Sequence, residues 1–325
     1  MEKLIDQIKE RIVSGGEITK EEALKVMNID ENNSELCDYL FHAANEIRKA
    51  FVGNKADLCT IMNVKSGKCS EDCTYCSQSA HYNTGVKMYD LLDYDKVLER
   101  ALEMQSEGAH RFSLVSSGRG PMGEEFKDLV NFYEKLDQDT IIKICASHGL
   151  ISYEQALKLK ETGVKRYHHN LETSPRYYEK ICTTHTYEDR INTILNVQKA
   201  GIEVCCGGIL GLGETVEDRI DMAYEIKRLK IKSVPINILT PVPGTPLEDN
   251  EIVSPMEILK TIAIYRLILP KASIRYAGGR IALGDLQEKG LHAGINGALV
   301  GNYLTTIGNK IPQDIEMIKK AGFEV

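Results

Sequence analysis

The chain has 325 residues, with 40 Lys and Arg against 47 Asp and Glu, a formal net charge of −7. That acidic balance argues against a generic nucleic-acid surface, which needs clustered positive charge, and points to a small partner. A hydrophobic content of 42% excludes a disordered or collagen-like chain, and no apolar run approaches the roughly 18 residues that span a bilayer, so no membrane partner is expected.

Taken in chain order, Met1 to Lys20 lacks the apolar block of a signal peptide, and a cytoplasmic protein is expected. Short helices follow. Thr19 with Glu22 has capping-box spacing, and Leu36, Tyr39, Leu40, Ala43 and Ile47 recur at helical intervals over Glu35 to Val52. Residues 1–56 therefore read as an N-terminal helical extension on a larger body, residues 57–325. From Asp57 onward, runs suited to buried strands alternate with amphipathic helical segments, the pattern of βα units. Strands are predicted at Leu58–Asn63, Arg111–Ser116, Thr140–Ala146, Lys165–Asn170, Glu203–Gly207, Ser233–Ile238, Ser273–Ala277 and Gly297–Val300. Ser152 with Gln155, Thr186 with Asp189, Thr215 with Asp218, and Ser254 with Pro255 and Glu257 mark helix starts. Gly108, Gly163 and Gly201 mark helix stops. Eight such repeats favour a closed (β/α)8 TIM barrel over an open doubly wound sheet, with chemistry at the carboxyl ends of the strands.

Nine cysteines make an odd total, and a reducing cytosol disfavours structural disulfides, so buried, metal-binding or catalytic roles are expected. After the first strand, Cys69, Cys73 and Cys76 form a C-x3-C-x2-C spacing in a polar loop. Thiolates this close wrap one metal centre, and soft sulfur selects iron–sulfur clusters, zinc or copper(I). A structural zinc site normally closes with a fourth ligand from a second pair; none stands nearby, which favours a cluster with one open iron. Asn170 and Glu172 project to one face of a strand by its period of two. A helix cap for Ser174 onward is the alternative use of the same residue types. His168 and His169 face opposite ways on that strand and are not expected to share a metal.

With Tyr75 immediately before its last cysteine, and placed after the first strand of a βα barrel, this loop resembles the signature of radical S-adenosylmethionine enzymes. Within that superfamily the chain is similar to biotin synthases from about Phe41 onward, through Asn63 to Cys73, His169 to Pro175, Gly207 to Thr215, and Pro235 to Asn237. The resemblance implies insertion of sulfur into dethiobiotin to form biotin. Saturated C–H bonds offer no acidic proton to a side-chain base, so the cofactor must supply radical chemistry. It further implies a [4Fe-4S] cluster on Cys69, Cys73 and Cys76 that binds and cleaves S-adenosylmethionine, with Asn170 and Glu172 on the ribose and Tyr75 by the adenine. Gly207, Ile209, Gly211 and Glu214 would run along the cofactor, although such a glycine run also suits an ordinary turn. Asn170 and Asn237 would contact dethiobiotin; a buried strand asparagine satisfied by backbone is the alternative for Asn237.

Biotin synthases also carry an auxiliary iron–sulfur cluster as sulfur donor, usually a [2Fe-2S] centre on three cysteines and an arginine. Cys145, Cys205 and Arg275 match those positions, but the remaining cysteine position is Ser113, whose oxygen is a harder and poorer ligand for iron. Cys59, on the neighbouring first strand where the usual enzyme has a serine, is expected to compensate. The predicted thiolates are therefore Cys59, Cys145 and Cys205, with Arg275 as a further ligand and Ser113 ranked below them. This altered set admits a larger cluster with an extra sulfide. Arg111 matches a basic residue near that cluster, with a salt bridge inside the barrel as its alternative, while Cys37, Cys182 and Cys206 are expected to be mostly structural. By resemblance, a homodimer, an electron donor such as flavodoxin or ferredoxin, and iron–sulfur assembly proteins are the macromolecular partners. Other barrels of the superfamily, the hydrogenase maturation enzyme and methylornithine synthase among them, share the loop; Asn237, Cys145 and Cys205 favour sulfur insertion.

Overall fold

A computed structural model describes residues 1–301 and 311–325. Three helices come first, α1 (Glu2–Val13), α2 (Lys20–Met27) and α3 (Ser34–Val52). Strands and helices then alternate: β1 (Asp57–Lys65), α4 (Tyr94–Ser106), β2 (Arg111–Ser116), α5 (Gly123–Asp139), β3 (Lys143–Ser147), α6 (Tyr153–Glu161), β4 (Arg166–His168) and α7 (Tyr187–Lys199). The second half runs β5 (Glu203–Cys205), β6 (Gly208–Leu210), α8 (Val216–Arg228), β7 (Ser233–Ile238), α9 (Pro255–Ile268), β8 (Ser273–Tyr276), α10 (Gln287–His292), β9 (Gly297–Leu299) and α11 (Ile311–Lys320).

Among the described residues every ladder is parallel, and both β5 and β6 pair with β7, so the nine segments form the eight staves of a closed barrel. The stave shared by β5 and β6 breaks at Cys206–Gly207 because backbone packs on backbone there: a Cβ on Gly207 would lie 1.9 Å from the Pro235 carbonyl oxygen. Each predicted cap forms. Thr19, Ser152, Thr186 and Thr215 make full capping boxes, and Ser254 accepts from the Glu257 amide with Pro255 opening α9.

Six of the eight strands differ from expectation at one or both ends, by no more than three residues, and two of these shifts have a plain physical cause. The third strand begins at Lys143 rather than Thr140, because Thr140 ends α5 and Ile141 is 90% exposed, its amide bound to Gln105 Oε1 at 2.8 Å. The fourth ends at His168 rather than Asn170, since the chain turns there to enter the site. Helix α9 is buried almost throughout because α3 and α8 both pack on it, which accounts for its nearly unbroken apolar run. Its buried Lys260 donates to the Met27 and Ile29 carbonyls at 3.2 and 2.8 Å, satisfying the C-terminal end of α2.

Candidate active site

The β1–α4 connection carries Cys69, Cys73 and Cys76 over the carboxyl ends of the strands. Its shape is backbone-determined: the Cys69 amide donates to the Gln78 carbonyl at 3.1 Å, and Ala80 donates to the Cys69 carbonyl at 2.8 Å. Asp72 fastens the loop to the segment before α7 by accepting from the Thr183 and Thr184 amides at 2.9 and 3.2 Å. All three thiols line one cavity of about 200 Å³. Burial pushes the Cys69 thiol up and the Cys76 thiol up to about 11, so a soft cation bound here must displace protons. Three cysteines converging on a polar hollow suit a cubane cluster with one iron left for an outside ligand.

A second cavity, of about 350 Å³, runs down the barrel and shares Tyr75, Cys76, His168, Asn170 and Glu172 with the first. Cys59, Ser113, Cys145, Cys205 and Arg275 line it from five different strands, and Asn237 does so from β7. Ser113 is in register with Cys145, whereas Cys59 pairs with Arg111 and lies one inward step closer to the amino ends of the strands. The Cys59 and Cys145 thiols share a hydrogen bond that lowers the first pKa and raises the second. Burial alone would raise Cys205, but a hydrogen bond to His168 and the charges of His168, Arg275 and Arg166 outweigh it and bring the thiol down to about 6. Ser233 Oγ donates to Cys205 Sγ at 3.2 Å.

Beneath these thiols, Asp57 joins three guanidiniums: Arg275 at 2.9 Å, and Arg111 and Arg166 each at 3.2 Å. Arg111 thus makes the salt bridge that was its alternative reading. Arg275 turns Nη2 to Asp57 and Ser233, while its Nε and Nη1, the Arg166 Nε and the Ser113 Oγ are buried with no hydrogen-bond partner among the described residues. Each such orphan costs about 1–3 kcal/mol unless something bound supplies a contact. Soft thiolates beside unpaired cationic and hydroxyl donors suit an anionic iron–sulfur group.

At the junction of the two cavities, Asn170 Nδ2 donates to Glu172 Oε2 at 3.2 Å. Strand alternation does not account for their shared facing. Glu172 has φ 69°, a left-handed conformation that costs a non-glycine residue about 1–3 kcal/mol and clusters at functional sites. It is held there because the Glu172 and Leu171 amides donate to the Gly207 carbonyl and the Ile209 amide donates back to the Glu172 carbonyl. A Cβ on Gly208 would lie 2.5 Å from that carbonyl oxygen, so the turn needs glycine. Gly207, Gly211 and Glu214 line neither cavity; Gly207 N donates to Asn170 Oδ1 at 3.0 Å, and Glu214 Oε1 accepts from Gly211 N at 2.9 Å and also from Arg219. Ile209 does line the barrel cavity. Asn237 bridges backbone, donating to the Gly208 carbonyl at 3.1 Å and accepting from the Gly278 amide at 3.0 Å.

Several site groups had no signal in the sequence. Arg190, one turn into α7, reaches the Asn170 carbonyl at 2.9 Å, the Tyr178 hydroxyl at 2.6 Å and Glu172 at 3.5 Å. Asp57, just before the first predicted strand, and Ser233, at the start of the sixth, stand in no functional spacing. Cys182, expected to be mostly structural, lies against Cys73.

Known proteins bear on this arrangement. Residues 63–226 match the Radical SAM superfamily and residues 235–324 the Biotin and Thiamin Synthesis associated domain. The chain is 54% identical over its full length to a biotin synthase of Clostridioides difficile (strain 630), covering all of that protein. It is 53% identical to one from Acetivibrio thermocellus, covering 98% of each chain. Among solved structures, the [FeFe]-hydrogenase maturase HydG superposes with a TM-score of 0.84 at 20% identity, over 99% of this chain and 75% of that one. Methylornithine synthase (PylB) gives 0.83 at 21%, over 98% and 96%. Those two likenesses speak to the fold. Identity above one half along the whole length, together with the three-thiol loop at the mouth of the barrel, places the chain in the biotin synthase family of radical S-adenosylmethionine enzymes.

Proposed function

We propose that the chain inserts sulfur into dethiobiotin to form biotin, using S-adenosylmethionine and two iron–sulfur centres. The observation that carries this reading is a pair of adjoining cavities with shared lining residues, one under the three-cysteine loop and the other lined by Cys59, Cys145, Cys205 and Arg275. On this reading Cys69, Cys73 and Cys76 hold the [4Fe-4S] cluster, and Cys59, Cys145, Cys205 and Arg275 hold the auxiliary one, [2Fe-2S] or larger. When bound, these groups supply a carbon-centred radical able to take hydrogen from an unactivated C–H bond, and the sulfur that replaces it.

The chain's own residues bind, orient and shield. Tyr75, packed against the apolar clusters of Cys73, Tyr178 and Cys182 and of Ile181, Leu212 and Leu239, offers an aromatic surface for an adenine. Glu172, oriented by Asn170 and Arg190, accepts from ribose hydroxyls. Asn170 and Asn237 present amides to the ureido ring, and Gly207, Gly211 and Glu214 act from behind by shaping the turn. The apolar and backbone walls around Ile209, Pro235 and Ala277 keep water from a reactive carbon centre. The same reading includes a homodimer, a flavodoxin or ferredoxin as electron donor, iron–sulfur assembly proteins, a cytoplasmic setting, and residues 1–56 as a helical extension of the 57–325 barrel. No helix among the described residues is long and apolar enough to cross a membrane.

The test is anaerobic reconstitution with iron and sulfide, followed by assay with a reductant, S-adenosylmethionine and dethiobiotin. Dethiobiotin should raise 5′-deoxyadenosine formation and biotin should appear; absence of both removes the proposed reaction. In Cys59→Ala the iron and sulfide of the auxiliary centre should be lost while the first cluster persists, and Ser113→Ala should keep both. Retention of the second centre in Cys59→Ala would remove Cys59 from the ligand set.

A further inference from the structure

The proposed function leaves two buried metal-ligating side chains beside the cluster loop, Cys182 and His185, without a role. Cys182, just before α7, lies beside Cys73 of the cluster loop, and His185 completes the group: one ligand atom from each of the three lies within 4.8 Å of the others. All three residues are buried. We propose that when the four-iron cluster is absent, Cys73, Cys182 and His185 hold a single thiophilic divalent cation of the zinc class.

The geometry is that of a metal site with its supporting shell already in place. His185 Nδ1 lies 3.2 Å from Cys182 Sγ and 2.6 Å from Glu71 Oε2, so the nitrogen that faces the thiol is the one the carboxylate holds. Nε2 is farther off, 3.9 Å from Cys182 Sγ, so Nδ1 is the ligand atom and Glu71 Oε2 stands beside the ion. Two ligands bound at about 2.0–2.3 Å to one tetrahedral ion stand about 3.5 Å apart, so only a small adjustment closes the site. Glu71 is itself held by Ser70 Oγ at 2.9 Å, Thr184 Oγ1 at 3.0 Å and Arg119 Nη1 at 3.3 Å. Cys73, His185 and Glu71 border the cavity under the loop, which provides the entry path. Three protein donors leave a fourth position, beside which Glu71 Oε2 already stands. Binding forms two metal–sulfur bonds and one metal–nitrogen bond and releases to solvent the protons that these ligand atoms carry, with no change of oxidation state.

The consequence rests on the proposed cluster ligands. Cys73 cannot serve both centres, so an ion here and a four-iron cluster exclude each other, and cluster assembly must evict the ion. Site and consequence are tested separately. The full chain, freed of iron and kept reduced and anaerobic, is titrated with Co²⁺ and then with Zn²⁺ against a chromophoric chelator. The wild type should bind one equivalent with thiolate-to-cobalt charge transfer and the visible bands of a four-coordinate S₂N site.

Cys182→Ala should weaken binding at least tenfold, and Glu71→Gln by about tenfold through the loss of the carboxylate charge beside the ion. The double variant Cys69→Ala/Cys76→Ala should stay within about threefold of wild type, because neither residue is a ligand. Should circular dichroism show Cys182→Ala unfolded, His185→Gln carries the same expectation. Any other pattern overturns the site, in particular unchanged affinity in Cys182→Ala with loss in the double variant, which puts the ion on the loop alone. Zinc-loaded wild type should also gain iron–sulfur absorbance more slowly than zinc-free protein, and equal rates overturn the exclusion. A chain that makes no biotin leaves the cobalt titration intact, so the two readings fail independently.

Discussion

His148 sits at the end of β3 with Ser116 Oγ 2.8 Å from Nδ1 and Tyr133 Oη 2.6 Å from Nε2, closed off from solvent. Burial drives its pKa down to about 3 against 6.5 for the free side chain, so the folded protein keeps it neutral. The unfolded chain takes up a proton below 6.5 and the folded one does not, so stability is full above that value and declines as the pH falls toward 3. From pH 7 to pH 5 this residue alone should cost about 2 kcal/mol of unfolding free energy, and His148→Gln should flatten that part of the dependence. Urea unfolding of both proteins at the two pH values checks it; parallel slopes would count against a neutral buried imidazole. Glu172 shows why single positions resist reading from sequence. Its pairing with Asn170 is visible in the spacing, but the left-handed backbone that aims it depends on Gly207 and Gly208 from another stave.

The break between β5 and β6 and the caps of the outer helices are the elements on which the site depends. In Gly207→Ala the new methyl group meets the Pro235 carbonyl, so the stave must move from β7 at a cost of about 2–3 kcal/mol. Because Gly207 also positions Asn170, affinity for S-adenosylmethionine should fall together with the urea midpoint; a fall in midpoint with unaltered affinity would separate the turn from the proposed cofactor site. Helix α7 is a gentler case. Its Thr186 cap accepts from the Asp189 amide at 3.1 Å, and Thr186→Ala should lose about 1 kcal/mol of stability while Arg190, one turn further on, keeps its contacts. Caps of this kind are readable in the chain because both partners lie within one helical turn. The start of β3 differs from expectation for the complementary reason: Thr140 to Ile142 suits a strand by composition, but the Thr140 amide closes α5 on Leu136 and the Ile141 and Ile142 amides are taken by Gln105 of α4.

For the molecule as a whole, the floor of the barrel is a charge cluster that ties β1, β2, β4 and β8 through Asp57 and three arginines. Asp57→Asn leaves those guanidiniums buried together without their shared anion and should destabilise the protein by about 3 kcal/mol. Because Arg275 loses a partner that orients it, the variant should also take up less iron in the auxiliary site than wild type under the same reconstitution; equal uptake at reduced stability would confine Asp57 to a structural role.

By itself, the sequence determined what lies within a few residues of itself: the three-cysteine loop, the helix caps, and the alternation of strand and helix that closes as a barrel. Short-range spacing and periodicity dictate those features wherever the rest of the chain lies. Tertiary structure decided which distant groups meet. It joined Asp57 to Arg111, Arg166 and Arg275, swung Arg190 onto Glu172, and set Cys182 and His185 against Cys73. These contacts join different staves, loops and helices, and their distances follow from strand register and barrel closure, which no local pattern encodes.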